Sequence, residues 1–294
     1  MNNTDIFLKH LTSACDKIGK LLKYNSDKTI FDETVVNASG DMVKKIDVLC
    51  HNIFEEEFRN CSLVGGIASE ELDEPVIWNE NGLYVLIIDP LDGSLSANLN
   101  ITVGSIFTIY KSNGKITKET FLQKGSKIFC AGYSLYGPST SLIFAHKNKA
   151  TQYQILNGEL KKYKDKLTIL DNFYDGIFSM NASNYFRWDK KDQQLYAELI
   201  SNFKVFRYVG SLVAEVQRTI MSGGFYAYPK DSKNTNGRLR LVYECIPMAY
   251  IIKCAGGLCG NGEKSLLDVK PKELHEKSPI YFGSYSVVSN RNLL

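Results

Sequence analysis

Apolar residues recur at helical spacing through residues 5–23, where Ile6, Phe7, Leu11, Ile18, Leu21 and Leu22 gather on one side; this spacing predicts an amphipathic helix. Residues 43–58 repeat the pattern with Val43, Ile46, Leu49 and Ile53. The pattern then changes to short unbroken apolar runs at residues 62–67 and 84–88, which suit strands buried on both faces. Residues 101–110 and 141–145 add two strands, residues 153–163 around Gly158 read as a hairpin, and residues 176–180 as a further strand. Helical spacing returns over 193–203 and 211–221. Residues 238–243 alternate and read as extended, and 247–255 read as a helix ended by Gly256-Gly257. Strands and helices mix in both halves, which predicts a layered α/β protein of two lobes, residues 1–165 and 166–294.

Composition narrows the class. A chain of 294 residues, 44% hydrophobic and 23% charged, has enough apolar material for a large core and is not disordered. A net charge of +3 is too small to indicate nucleic-acid binding. The start Met-Asn-Asn-Thr-Asp lacks a secretory pattern, and no apolar run is long enough to span a bilayer, so a soluble cytoplasmic protein without membrane or nucleic-acid partners is expected. Seven cysteines, an odd number, point to reduced thiols. Cys254 and Cys259 lie near each other, but no second pair completes a zinc site, so buried thiols are the better reading.

The candidate chemistry lies in the acids. Asp89-Pro90-Leu91-Asp92-Gly93-Ser94 follows the apolar run 84–88. Carboxylates at the end of a buried strand are unfavourable unless something compensates their charge. Asp89 and Asp92 can converge on one point, the Leu91 carbonyl adds a neutral oxygen, and hard oxygen donors of this kind suit Mg²⁺. Gly93 and Ser94 offer N–H groups and a hydroxyl to an anion. Alone, the segment reads equally well as a polar turn with a capping Asp. Glu70-Glu71, at the end of the run 62–67, tips the balance, because two strand ends that both finish in acids make a shared cation site. Glu244, after another extended apolar stretch, would read as a surface residue without the others. Metals held by such carboxylates stabilise attacking and leaving oxygens, and a remaining carboxylate can take a proton from water, which supports phosphomonoester hydrolysis.

Several segments together resemble the fructose-1,6-bisphosphatase family, among the lithium-sensitive magnesium phosphatases. They are Gly40-Asp41-Met42-Val43-Lys44-Lys45-Ile46-Asp47, Glu70-Glu71, the Asp89–Ser94 segment, Ala131 to Gly137, Ser179-Met180-Asn181, Arg207-Tyr208-Val209-Gly210-Ser211 and Gly237 to Glu244. The resemblance runs over almost the whole chain from about Gly40. It implies a layered α-β-α-β-α sugar phosphatase fold. By it, Glu70, Asp89, Asp92, Glu244 and the Leu91 carbonyl are ligands of two or three Mg²⁺ ions (with Mn²⁺ or Zn²⁺ as substitutes), and Asp41 joins a further metal position. Glu71 and Asp47 orient and deprotonate the attacking water, and Gly93 and Ser94 cradle the departing phosphate. Asn181, Tyr185, Arg207, Tyr208, Tyr228 and Arg238 bind the retained phosphate and the sugar, with Arg207 reaching a neighbouring subunit, so a homo-oligomer, dimer or tetramer, is implied.

The chain departs from that family at Leu95, Ser96 and Asn98 beside the phosphate cradle, and Arg238 stands where Lys is usual. The Gly-Glu-Leu-Thr segment of AMP-regulated members is not found, and Leu83 and Lys111 replace other basic residues of that region, so AMP inhibition is expected to be weak or absent. Sedoheptulose 1,7-bisphosphate remains an alternative substrate. An inositol-type phosphatase fits less well, because Tyr243-Glu244 stands where those enzymes have Trp-Asp, and the intact acids argue against a decayed sugar-phosphate sensor.

Overall fold

Strand Tyr84–Asp92, buried at every residue, divides its side chains between two cores. In the computed structural model, which describes residues 2–24, 28–31, 33–36, 42–171, 173–291 and 293, Leu86 and Ile88 pack under helices Asn3–Tyr24 and Lys45–Arg59. Val85 and Ile87 join a second core with helices Leu212–Ser222 and Ile246–Cys254. The period of two along a strand makes this division.

Among the described residues the strand sits in an eight-stranded sheet, in the order Glu159–Lys164, Lys149–Leu156, Thr140–His146, Ile128–Tyr136, Val103–Lys111, Tyr84–Asp92, Val64–Ser69, Val76–Ile77. Only Val64–Ser69 and Tyr84–Asp92 run parallel, so their acid-bearing ends point the same way. The Asn157-Gly158 turn, both residues left-handed at φ 54° and 81°, closes the hairpin at the far edge.

A five-stranded sheet follows, in the order Val205–Phe206, Ile177–Met180, Gly224–Tyr228, Ile280–Gly283, Leu258–Gly260. Tyr226 and Phe282 face the shared middle core, whereas Phe225 and Tyr281 face an outer core with Leu195, Leu199, Val287 and Val288 from helices Lys190–Asn202 and Tyr285–Ser289. The layers are therefore α-β-α-β-α, with helices Leu212–Ser222 and Ile246–Cys254 between the sheets.

Two expectations are corrected. The run at 84–88 continues as strand through Asp92, past a register shift between Asp89 and Asp92, so the acids lie within the strand rather than beyond it. Residues 238–243 are extended only at Leu239–Arg240; Leu241–Cys245 is a π-helical turn that feeds helix Ile246–Cys254, whose first turn contains Pro247. Proline suits a helix start, where its missing N–H has no partner to lose. Trp188 is buried, and Asp189 caps helix Lys190–Asn202. All seven cysteines are buried free thiols. No helix among the described residues is long and apolar enough to cross a membrane.

Candidate active site

The parallel strand ends bring the acids together. Glu70 follows its strand directly and donates its N–H to the Ile88 carbonyl of the next at 3.1 Å. Asp89, Asp92 and Glu244, all buried, offer carboxylate oxygens that lie within 4.8 Å of one another. Each is fixed by the backbone around it. Asp89 accepts the Leu91 N–H at 3.0 Å, while Ser105 Oγ holds the Pro90 carbonyl at 2.7 Å and so pins the irregular stretch of strand. Asp92 accepts both the Ser211 hydroxyl and the Val213 N–H at 2.9 Å. Glu244 accepts the Arg240 N–H.

Burial, then mutual repulsion among Glu70, Asp92, Glu244 and Glu71, holds Asp89 well above the usual carboxylate range. Glu244 is raised for the same reasons. Burial raises Asp92 only to about 6, because Val213, Ser211 and Leu212 stabilise its charged form. Three buried carboxylates this close are compensated by a cation or by protons. The donor set is all oxygen, which fits a hard divalent ion. Arg240 supplies part of the compensation: its Nε lies 3.3 Å from Glu70 Oε1 and its Nη1 donates to the His275 carbonyl at 3.3 Å.

A second pair faces this group. Asp47, in the first turn of helix Lys45–Arg59, is pushed by burial up to about 7, with Ser94 and Lys44 pulling it down and Glu70 pushing it up. Its Oδ1 is buried without a hydrogen-bond partner, an orphan acceptor beside the acid cluster. Glu71 rises to about 8 through burial and the charges of Asp47 and Glu70. Carboxyls that titrate near neutrality suit proton transfer.

The turn after Asp92 is shaped for close approach. Gly93 is left-handed at φ 78°, and a Cβ there would lie 2.9 Å from Ser211 Cβ, so only glycine fits. It opens a short 3₁₀ turn, Ser94–Ser96, in which Leu95 faces solvent with 72% of its surface exposed. Lys44 Nζ lies 3.5 Å from the Ser94 carbonyl.

A polar group from the second sheet completes the surroundings. Asn181 ends strand Ile177–Met180 and binds Ser183. The Tyr208 hydroxyl neighbours Asn181; burial, then nearby Tyr228 and Glu215, raises its pKa, while Arg238 and Asn181 lower it. Asn181, Tyr208, Tyr228 and Arg238 are thus gathered in one place. Arg207 is exposed, with Nη1 donating to the Phe206 carbonyl at 2.7 Å. Tyr185 packs its ring toward Trp188 and Tyr196 in the outer aromatic layer, at centroid distances of 6.0 and 5.7 Å. Asp41 lies outside the described residues.

Residues the sequence reading gave no role include Arg240, Ser211, Val213 and Lys44. Arg240 had a visible signal, a lone cation in the apolar run Leu239 to Val242, four residues before Glu244. The contact from Ser211 and Val213 to Asp92 spans about 120 positions and left no local trace.

Oxygen donors converging from a strand and a neighbouring helical turn, with near-neutral carboxyls and a left-handed glycine beside them, suit a phosphatase that uses a divalent metal. Models described as the N-terminal and C-terminal domains of fructose-1,6-bisphosphatase match residues 2–164 and 174–293. The chain is 35% identical over 300 residues to a class 1 fructose-1,6-bisphosphatase of Neisseria meningitidis serogroup C, covering 98% of this chain and 92% of that one. It is 36% identical over 259 residues to its namesake from Synechocystis sp., covering 84% of this chain and 74% of that one. The holo-form crystal structure of Leishmania major fructose-1,6-bisphosphatase superposes with a TM-score of 0.90 at 28% identity, covering 97% of this chain and 92% of that one. The chain belongs to the fructose-1,6-bisphosphatase family.

Proposed function

We propose that the chain hydrolyses the 1-phosphate of fructose 1,6-bisphosphate, giving fructose 6-phosphate and inorganic phosphate. The convergence of buried Asp89, Asp92 and Glu244 carries this reading. Together with Glu70 and the Leu91 carbonyl they would hold two or three divalent cations, Mg²⁺ by donor chemistry, with Mn²⁺ or Zn²⁺ as substitutes and Asp41 at a further position. Cations held there would supply charge neutralisation for the transferring phosphoryl group and a lowered pKa for water. Glu71 and Asp47 orient the water, and one of them takes its proton as the oxygen adds to phosphorus; the ester P–O bond breaks and the departing sugar oxygen takes up a proton, leaving as a hydroxyl. The backbone at Gly93 and Ser94 receives the departing phosphate. Asn181, Tyr185, Arg207, Tyr208, Tyr228 and Arg238 hold the 6-phosphate and the sugar, the arginines through planar forks suited to phosphate.

Exposed Leu95 and Leu99, exposed Ile101 beside Val209, and exposed Arg207 support a homo-oligomer, a dimer or a tetramer. The lobe division near residue 165 is supported by the gap between the two family models. Free, buried thiols fit a reducing compartment, the cytoplasm.

The test is phosphate release from fructose 1,6-bisphosphate and sedoheptulose 1,7-bisphosphate, side by side, with Mg²⁺ and after chelation. Turnover is expected to favour the fructose ester and to vanish on chelation; a preference for the heptulose ester would overturn the substrate assignment. In the same assay AMP is expected to leave the rate unchanged, in keeping with Leu83 and Lys111 where AMP-regulated members carry other basic residues. Strong inhibition would refute that.

A further inference from the structure

The loop that carries Arg207 and Tyr208 is held from behind by an ion pair that touches neither acids nor cradle. Glu215 and Arg218 lie one turn apart on helix Leu212–Ser222. Glu215 is wholly buried, its partner Arg218 is largely so, and the two side chains form a salt bridge. Each also reaches the loop backbone. Glu215 Oε1 accepts the Val209 N–H at 2.6 Å, and Arg218 Nη1 donates to the Arg207 carbonyl at 3.2 Å. Elsewhere in the loop the Arg207 N–H donates to the Phe178 carbonyl at 3.1 Å, and Gly210 turns back to the helix in the left-handed region at φ 86°.

We infer that Glu215 and Arg218 are positioning residues for the retained phosphate and the sugar, acting through Arg207 and Tyr208. The inference rests on the binding role proposed above for that loop. Its physical basis is that a buried carboxylate is fixed by its counter-ion, and a fixed carboxylate leaves the Val209 N–H one place to bond. The loop backbone then sets where the two side chains beside it project. The same helix fixes Asp92 through its first turn, at Ser211 and Val213. The cation site and the sugar site therefore have separate anchors on one rigid element, and the anchors can be disturbed one at a time.

The experiment compares Arg218→Gln and Glu215→Gln with the unmodified protein, and with Arg218→Lys should either fail to fold. KM for fructose 1,6-bisphosphate is expected to rise about tenfold or more, with kcat within about twofold and the Mg²⁺ half-saturation unchanged. In an Arg207→Ala/Tyr208→Ala background the same substitutions should add nothing further to KM, which a general packing defect would not reproduce. An unchanged KM, or kcat, KM and Mg²⁺ half-saturation moving together, overturns the inference. Arg207→Ala/Tyr208→Ala alone separates the two levels. If that variant keeps a normal KM, the loop's binding role falls and the anchors' role with it. If its KM rises and the anchor variants stay normal, only the positioning inference falls.

Discussion

Asp92→Ala is expected to lower phosphate release by about a thousandfold or more while leaving the chain folded. Asp92 is one of three carboxylates that meet within 4.8 Å, and its removal would take away a ligand of the proposed cation site that the remaining two cannot replace. The fold should tolerate the loss. The Ser211 hydroxyl and Val213 N–H lose their acceptor, at about 1–3 kcal/mol, but repulsion on Asp89 and Glu244 is relieved at the same time. Circular dichroism and a melting curve check the fold, and a phosphate-release assay checks the rate. Turnover near that of the unmodified protein would remove Asp92 from the mechanism.

The second large effect is on stability and runs against the usual direction for acidic groups. Without metal, burial holds Asp47 up to about 7, Glu71 to about 8 and Asp92 to about 6, with Asp89 and Glu244 well above their ordinary values. A carboxyl whose folded pKa exceeds its unfolded one binds more protons when folded. Its stabilising share is complete below about pH 4 and is lost as pH rises through the folded values. In the presence of chelator, stability should therefore fall between about pH 5 and pH 8, by on the order of a few kcal/mol for the cluster together. The melting temperature would drop by on the order of 10 °C. Mg²⁺ should reverse the loss, and more fully at pH 8 than at pH 6, because at the lower pH it must displace protons. Melting curves with EDTA or Mg²⁺ across this range decide it. A flat profile in EDTA would mean that the carboxylates are compensated within the protein.

Much of this site could be read from the chain because its chemistry sits where local signals are strong. Glu70-Glu71 and Asp89 to Ser94 each follow an apolar run that suits a buried strand, and the structure lays those strands side by side in parallel. The helices were legible from spacing, with Asn3–Tyr24 and Lys45–Arg59 within about two residues of the expected bounds. Strands Ile128–Tyr136, Gly224–Tyr228, Leu258–Gly260 and Ile280–Gly283 were not recognised. Gly224–Tyr228 is buried on both faces and only five residues long, so it shows neither alternation nor length. Glu244 was expected at the end of an extended run because Arg238 to Tyr243 alternates, but residues 241–245 form a wide helical turn leading into a helix with Pro247 in its first turn. The long-range contacts that hold Asp92 and the loop at Val209 lie beyond any window along the sequence, since packing rather than propensity makes them.

Asp92 belongs to the first sheet but is clasped by the start of a helix that lies between the sheets, while Glu244 comes from the helical turn beside it and Asp47 from the outermost layer. The proposed cation site thus draws its acids from more than one layer. A chain cut in the segment that joins the two sheets would leave Asp47, Asp89 and Asp92 on one fragment and Glu244 on the other, and chelating power would return only when the fragments reassociate. A cation held by these acids would act as a rivet across the seam between layers, and its uptake would report that the whole stack has assembled.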